Sequence, residues 1–162
     1  MWSMVRIVFL AAGLWILPVF AADKYTGPKP PKPDLPYLLH ATKLVATESA
    51  EAKEEKKGKD SVYTIAGATS PARTPLAEPI FILDAQTLAP ERMELFKVES
   101  RDGAREVSLT AKRKKGGAEP IHLTVFPQGG KLYRIEAAEA LEEGDYCLSP
   151  SESNRVFCFA VF

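Results

Sequence analysis

The last twenty-two residues, Leu141 to Phe162, restrict the fold of this chain more than any other stretch. They hold its only two cysteines, Cys147 and Cys158. Around each, side chains alternate over a strand's length, and Pro150 to Asn154 supplies turn residues between the two runs. The segment therefore reads as a corner followed by two antiparallel strands. Opposed residues on such strands come close enough for a disulfide mainly at non-hydrogen-bonded pairs. If Cys147 faces Cys158, Leu148 must face Phe157, and that second pair points to the opposite side of the sheet. Closing a loop of this size stabilises a domain by about 3 kcal/mol in the chain-entropy treatment, less any strain. No C-x-x-C spacing or neighbouring histidine points to a redox-active bridge, so a structural one is expected.

Upstream, the same alternation recurs at short intervals. Ser61 to Ala66, Pro79 to Leu83, Met93 to Ser100, Arg105 to Thr110, Ile121 to Val125 and Leu132 to Ala137 each read as strands bounded by turn residues. Phe96 and Val98 share one face of their run, and Val107 and Leu109 point inward from theirs. Arg101 to Ala104 contains Asp102-Gly103, a pair that tolerates the positive φ of tight hairpin turns. No long segment after Ser61 has a helical period, which argues against a βαβ arrangement. Seven or eight short strands in about 100 residues predict an all-β, antiparallel sandwich over residues 61–162.

Leu141, Gly144 and Tyr146 refine that expectation. Their spacing resembles the tyrosine corner of immunoglobulin-like and fibronectin type III-like domains, in which a tyrosine entering the penultimate strand bonds back to an upstream backbone group. The resemblance implies that the two cysteine strands are the F–G hairpin of such a sandwich. Antibody domains instead carry a disulfide between sheets, and the Pro79–Leu83 strand has no cysteine to offer. The whole chain also resembles uncharacterised secreted bacterial proteins that join a Pro-rich leader to a C-terminal immunoglobulin-like domain. That resemblance implies an architecture and assigns no activity.

At the other end, Arg6 precedes an uncharged apolar run from Ile7 to Ala22, with small residues before Asp23. This is the pattern of a cleaved signal peptide over residues 1–22. The run is short for a membrane span, which needs about 20 apolar residues. A secreted or periplasmic protein is expected, with membrane contact only if the segment stays uncleaved. Two cysteines in an oxidising compartment fit a disulfide. Loss of Arg6 leaves 20 of the 21 basic side chains against 21 acidic ones, a balance that gives no general attraction for nucleic acid.

Residues 23–36 hold Pro28, Pro30, Pro31, Pro33 and Pro36 interleaved with Lys24, Lys29 and Lys32, and predict an extended polyproline spacer. Within residues 37–60, Tyr37 to Val45 offers a further strand. Glu48 to Asp60 is dominated by charge and alanine and reads as a solvated arm, either a marginal helix or a hairpin turning at Gly58.

No nucleophile elbow, zinc-protease helix, P-loop or dinucleotide fingerprint occurs. His40 and His122 lie outside any ligand-spaced cluster, so no metal or cofactor is expected. Glu142, Glu143 and Asp145 cluster at the corner, where a solvated turn accounts for them. A non-enzymatic module binding a protein or cell-envelope component is therefore expected, with a small periplasmic hydrolase or hydrolase inhibitor as the alternative, signalled by a cleft lined by Glu142, Glu143 or His122. Two surfaces are candidates for a partner. Lys112, Arg113, Lys114 and Lys115 form a basic loop tip suited to an acidic partner, or else a solvated hairpin end that protects an edge. The terminal strand is apolar on both faces, with Phe162 on one and Phe157 and Phe159 on the other. An outer strand with one wet face should not look like this. Either Tyr37–Val45 covers it, the plainer expectation, or it is an exposed partner site.

Overall fold

The computed structural model describes residues 24–110 and 117–162. The apolar leader and the basic segment Lys112–Lys115 lie outside the described residues. Among those described, thirteen strands follow one another: β1 (Tyr37–His40), β2 (Lys43–Ala46), β3 (Glu48–Glu51), β4 (Lys53–Lys57), β5 (Asp60–Ala66), β6 (Arg73–Thr74), β7 (Ile80–Asp84), β8 (Met93–Arg101), β9 (Ala104–Thr110), β10 (Leu123–Gly129), β11 (Leu132–Ala137), β12 (Gly144–Pro150) and β13 (Arg155–Val161). No described helix is long and apolar enough to cross a membrane.

The strands form a five-stranded sheet, β10-β11-β7-β1-β2, and a larger one, β3-β13-β12-β8-β9-β5-β4, with β6 beside β13. Every pairing is antiparallel except β6 with β13. Strands β1, β7, β11 and β10 take the places of A, B, E and D of an immunoglobulin sandwich; β8, β12 and β13 take those of C, F and G, with β9 as C′. The chain departs from that plan between A and B, where β2 to β6 are inserted.

Local chemistry explains the main hairpins. Asp102 and Gly103 both adopt positive φ, 51° and 81°, so the β8–β9 turn has the twist that a two-residue hairpin needs. Cys147 opposes Cys158 with Cα atoms 4.0 Å apart, the close spacing of a non-hydrogen-bonded pair, and the two form a disulfide. Leu148 accordingly opposes Phe157. At the corner, the Tyr146 hydroxyl donates to the Glu142 carbonyl at 2.9 Å, and Leu141 is buried beneath it. Gly144 has φ 149°, and a Cβ there would stand 3.2 Å from Lys97 Cε, so glycine is the residue that fits. Tyr146→Phe should cost about 1 kcal/mol in urea unfolding, the net worth of one hydrogen bond whose acceptor can turn to water. An unchanged midpoint would show that the corner bond contributes nothing.

Facing side chains of the two sheets fill the sandwich core. Leu38, Phe81, Leu83 and Ile135 come from the smaller sheet; Leu95, Tyr146, Leu148, Phe157 and Phe159 come from the larger. The Phe159 ring meets Phe81 edge-on at 5.0 Å and stacks with Tyr146 at 5.7 Å. Such pairs add to area burial.

Two expectations change here. The segment Glu48–Asp60 does contain the hairpin turning at Gly58, from β4 to β5, but it is no solvated arm. Its side chains from Lys53 to Lys57 are exposed, but its backbone pairs β3 with β13 at one edge of the large sheet and β4 with β5 at the other. Since β3 and β4 are separated only by Ala52, the sheet curls round and closes on itself. The terminal strand is likewise no outer strand. It lies between β12 and β3, with β6 continuing the β3 edge at Ala160 and Val161. One face of β13 looks into the sandwich core and the other into the interior of the curl, which is why both are apolar. The segment Tyr37–Val45 contributes β1 and β2 to the opposite sheet, and Leu38 joins the sandwich core.

The Pro-rich segment has no strand, and the body of the domain holds it near both ends. Tyr25 N–H donates to Gln128 Oε1 at 2.6 Å. The Asp34 carboxylate accepts the main-chain N–H groups of Gln86, Thr87 and Leu88 at 2.8, 2.9 and 3.1 Å, and the Thr87 hydroxyl at 2.8 Å.

Candidate functional site

Inside the curl, alternate residues of β3, β5, β8, β9, β12 and β13 point inward. From β3 come Glu48 and Ala50, from β5 Tyr63 and Ile65, from β8 Phe96 and Val98, from β9 Arg105, Val107 and Leu109, and from β12 and β13 the two cysteines with Val156. A second apolar cluster forms there, comprising Ala52, Ile65, Val98, Cys147, Val156 and Cys158. It does not fill the space. Strands β8 and β9 pair only from Glu99–Glu106 to the turn. Beyond that β8 leaves β9, stays paired with β12 through Met93–Val98, and meets Ile121 on its free edge at Leu95. Ala118 N–H donates to Ser108 O at 2.8 Å, and Ile121 N–H to Leu95 O at 2.7 Å, so the chain after residue 117 bridges the splayed strands.

The splay leaves a cavity of about 240 Å³, walled by Tyr63, Phe96, Val107 and Leu109 and floored by Ile65, Val98 and Cys147. Its mouth is the β12–β13 turn, Ser149 to Asn154, together with Glu94. Asn154 O accepts Ala52 N–H at 2.8 Å and ties that turn to the β3–β4 junction. The mouth is polar and the interior is hydrocarbon, aromatic ring and disulfide. A site of this composition binds by desolvating an apolar group, with a few polar atoms orienting it.

The opposite end of the curl is plugged. Arg105 is 0% exposed and makes a two-pronged pair with the Glu48 carboxylate, Nη1 to Oε2 at 2.6 Å and Nη2 to Oε1 at 2.9 Å. It also donates to Gly67 O at 2.9 Å and Ala66 O at 2.6 Å. Burial by itself would raise the Glu48 carboxyl, but its bonds to Arg105 and the Ser70 hydroxyl, with the guanidinium charge, hold it below its ordinary range. Strand parity does signal Arg105, which alternates onto the same face as Val107 and Leu109. Its partner Glu48 is not recognisable from spacing.

The residues singled out in the sequence lie elsewhere. Glu142 is paired with Lys97 at 2.8 Å on the surface, and that hydrogen bond holds its carboxyl low. Asp145 accepts Ser70 N–H at 2.6 Å and the Thr69 hydroxyl at 3.1 Å, fixing the loop that caps the plugged end. Glu143 and His122 are exposed, and neither they nor Glu142 line the cavity. Among the described residues no group of three His, Cys, Asp or Glu side chains is placed to hold a metal ion.

Of the aromatic residues offered as a partner surface, Phe157 and Phe159 are fully buried in the sandwich core. That part of the expectation is overturned, because the smaller sheet packs over the face of β13 that carries both rings. Phe162 remains 53% exposed, under the Arg73 guanidinium at 4.2 Å.

Comparison of the chain with protein-family models, with curated proteins and with solved structures finds no match.

Proposed function

We propose that this chain is an exported, non-enzymatic β-sandwich module that binds a protein or another cell-envelope component through the mouth of its curled sheet. The observation that carries the proposal is the cavity of about 240 Å³, apolar within and polar at the rim, held open by paired strands. Rigid walls of this kind favour binding because little ordering entropy is lost on association. Export is supported by the apolar leader and by the Cys147–Cys158 disulfide, a bond that persists in oxidising compartments.

The test joins mass with cross-linking in intact cells. The soluble extracytoplasmic fraction should contain a species lacking about the first 22 residues, the length expected of a signal peptide, and lighter than its dithiol form by the two hydrogens of a disulfide. A photo-reactive amino acid at Ser153, on the rim, should trap an envelope component. The same group at Lys43, on the free edge strand β2, should not. Equal trapping from both positions, or none from Ser153, would remove the cavity mouth as the binding surface.

A further inference from the structure

We infer that the curled-sheet cavity takes a small amphiphile with an apolar body of about two rings and a cationic head. The inference rests on the binding role proposed above and narrows it to a ligand class.

Size sets the body. A dry cavity of about 150 Å³ holds one benzene ring, so about 240 Å³ accommodates something bulkier than a single ring. The walls set its character. Tyr63 and Phe96 offer ring faces and edges for an aromatic body, and Ile65, Val98 and Cys147 close the floor without a charged group.

Charge sets the head. Among the described residues, the side chains lining the cavity include two carboxylates, Glu94 and Glu152, and no lysine, arginine or histidine. Both carboxylates are at the mouth, where a ligand's head would rest. Arg92 lies 3.6 Å from Glu152, and its charge opposes that carboxylate although both are mostly exposed. Glu94 is therefore the main acidic group facing the head. An anionic head meets repulsion from Glu94 at the rim. The rim hydroxyls are partly committed: Ser151 donates to Arg92 O at 2.6 Å, and Ser153 Oγ accepts Arg155 N–H at 3.1 Å.

Three probes sharing one body separate the possibilities: 1-naphthylmethylammonium, 1-naphthylmethanol and 1-naphthylacetate, titrated into the oxidised mature protein by calorimetry and ligand-observed NMR. The ammonium should bind at least tenfold more tightly than the carboxylate, with the alcohol between them. Glu94→Gln, an exposed and structurally safe change, should shrink that ratio severalfold. Val107→Phe should fill the cavity and abolish binding of all three; a melting curve confirms that this variant is folded. Equal affinity for the three heads, or a ratio untouched by Glu94→Gln, overturns the cationic class while leaving the cavity as a binding site. Binding of none of them overturns the inference, and rim cross-linking from Ser153 then decides separately whether the wider binding role stands.

Discussion

Phe159→Ala is expected to destabilise the domain by about 4 kcal/mol, whereas Phe162→Ala, three residues on, should cost about 1 kcal/mol or less. Removing a buried phenylalanine forfeits its transfer free energy and leaves a hole that the surrounding core fills only in part. Phe159 is 0% exposed and its ring is held between Phe81 and Tyr146, residues of opposite sheets, so neither wall can collapse without moving a paired strand. Phe162 follows the last strand with half its surface in water and loses only its contact with Arg73. Urea unfolding of both variants measures the contrast. Similar small losses would mean that β13 presents Phe159 to solvent, as a partner-binding strand would, and that the two sheets do not pack over it as described.

The second large effect concerns the plug. Glu48→Ala should cost at least about 3 kcal/mol, because it leaves the guanidinium of Arg105 buried with only two carbonyls for company. Replacing both partners, Arg105→Met with Glu48→Leu, should recover most of that loss, since the desolvation cost of the pair disappears with the pair. A pH dependence follows from the direction of the Glu48 shift. Its carboxyl is lowered in the folded state, so its contribution is present in full above its ordinary value of 4.5. That contribution is lost as pH falls through the lower, folded value. Between pH 5 and 3, wild-type stability should therefore fall more steeply than that of Glu48→Gln. Parallel pH profiles would show that the pair does not couple to folding, and a harmless Glu48→Ala would show that Arg105 reaches water.

Much of the architecture was legible because it is written in short-range terms. Period-two alternation marks Phe96–Val98 and Val107–Leu109. Asp102-Gly103 specifies its own turn through allowed φ. Opposing Cys147 to Cys158 sets Leu148 against Phe157 by register alone. The Leu141–Gly144–Tyr146 corner closes over four residues. Each depends on neighbours that the chain itself places a few positions away.

The site was not legible, since it depends on which strands become neighbours across long separations. Alternation states that a strand has two faces and does not state what each face meets. Both faces of β13 were apolar in the sequence, and only the insertion between the first two strands of the smaller sheet's immunoglobulin core shows why. It carries β3 to one edge of the large sheet and β4 to the other. Glu48 and Arg105 are 57 residues apart, and their pairing exists only once that edge closes. The cavity has the same origin. Its lining residues were recognisable as inward-facing, but the space between them appears because β8 pairs along β12 and parts from β9 beyond Glu99. By itself the sequence determined most of the strands, their turns and the register of the terminal hairpin, which are settled by backbone geometry and local hydrogen bonding. Tertiary structure decided which apolar face fills a core and which one lines an opening, because burial is a property of surfaces brought together and no single strand contains it.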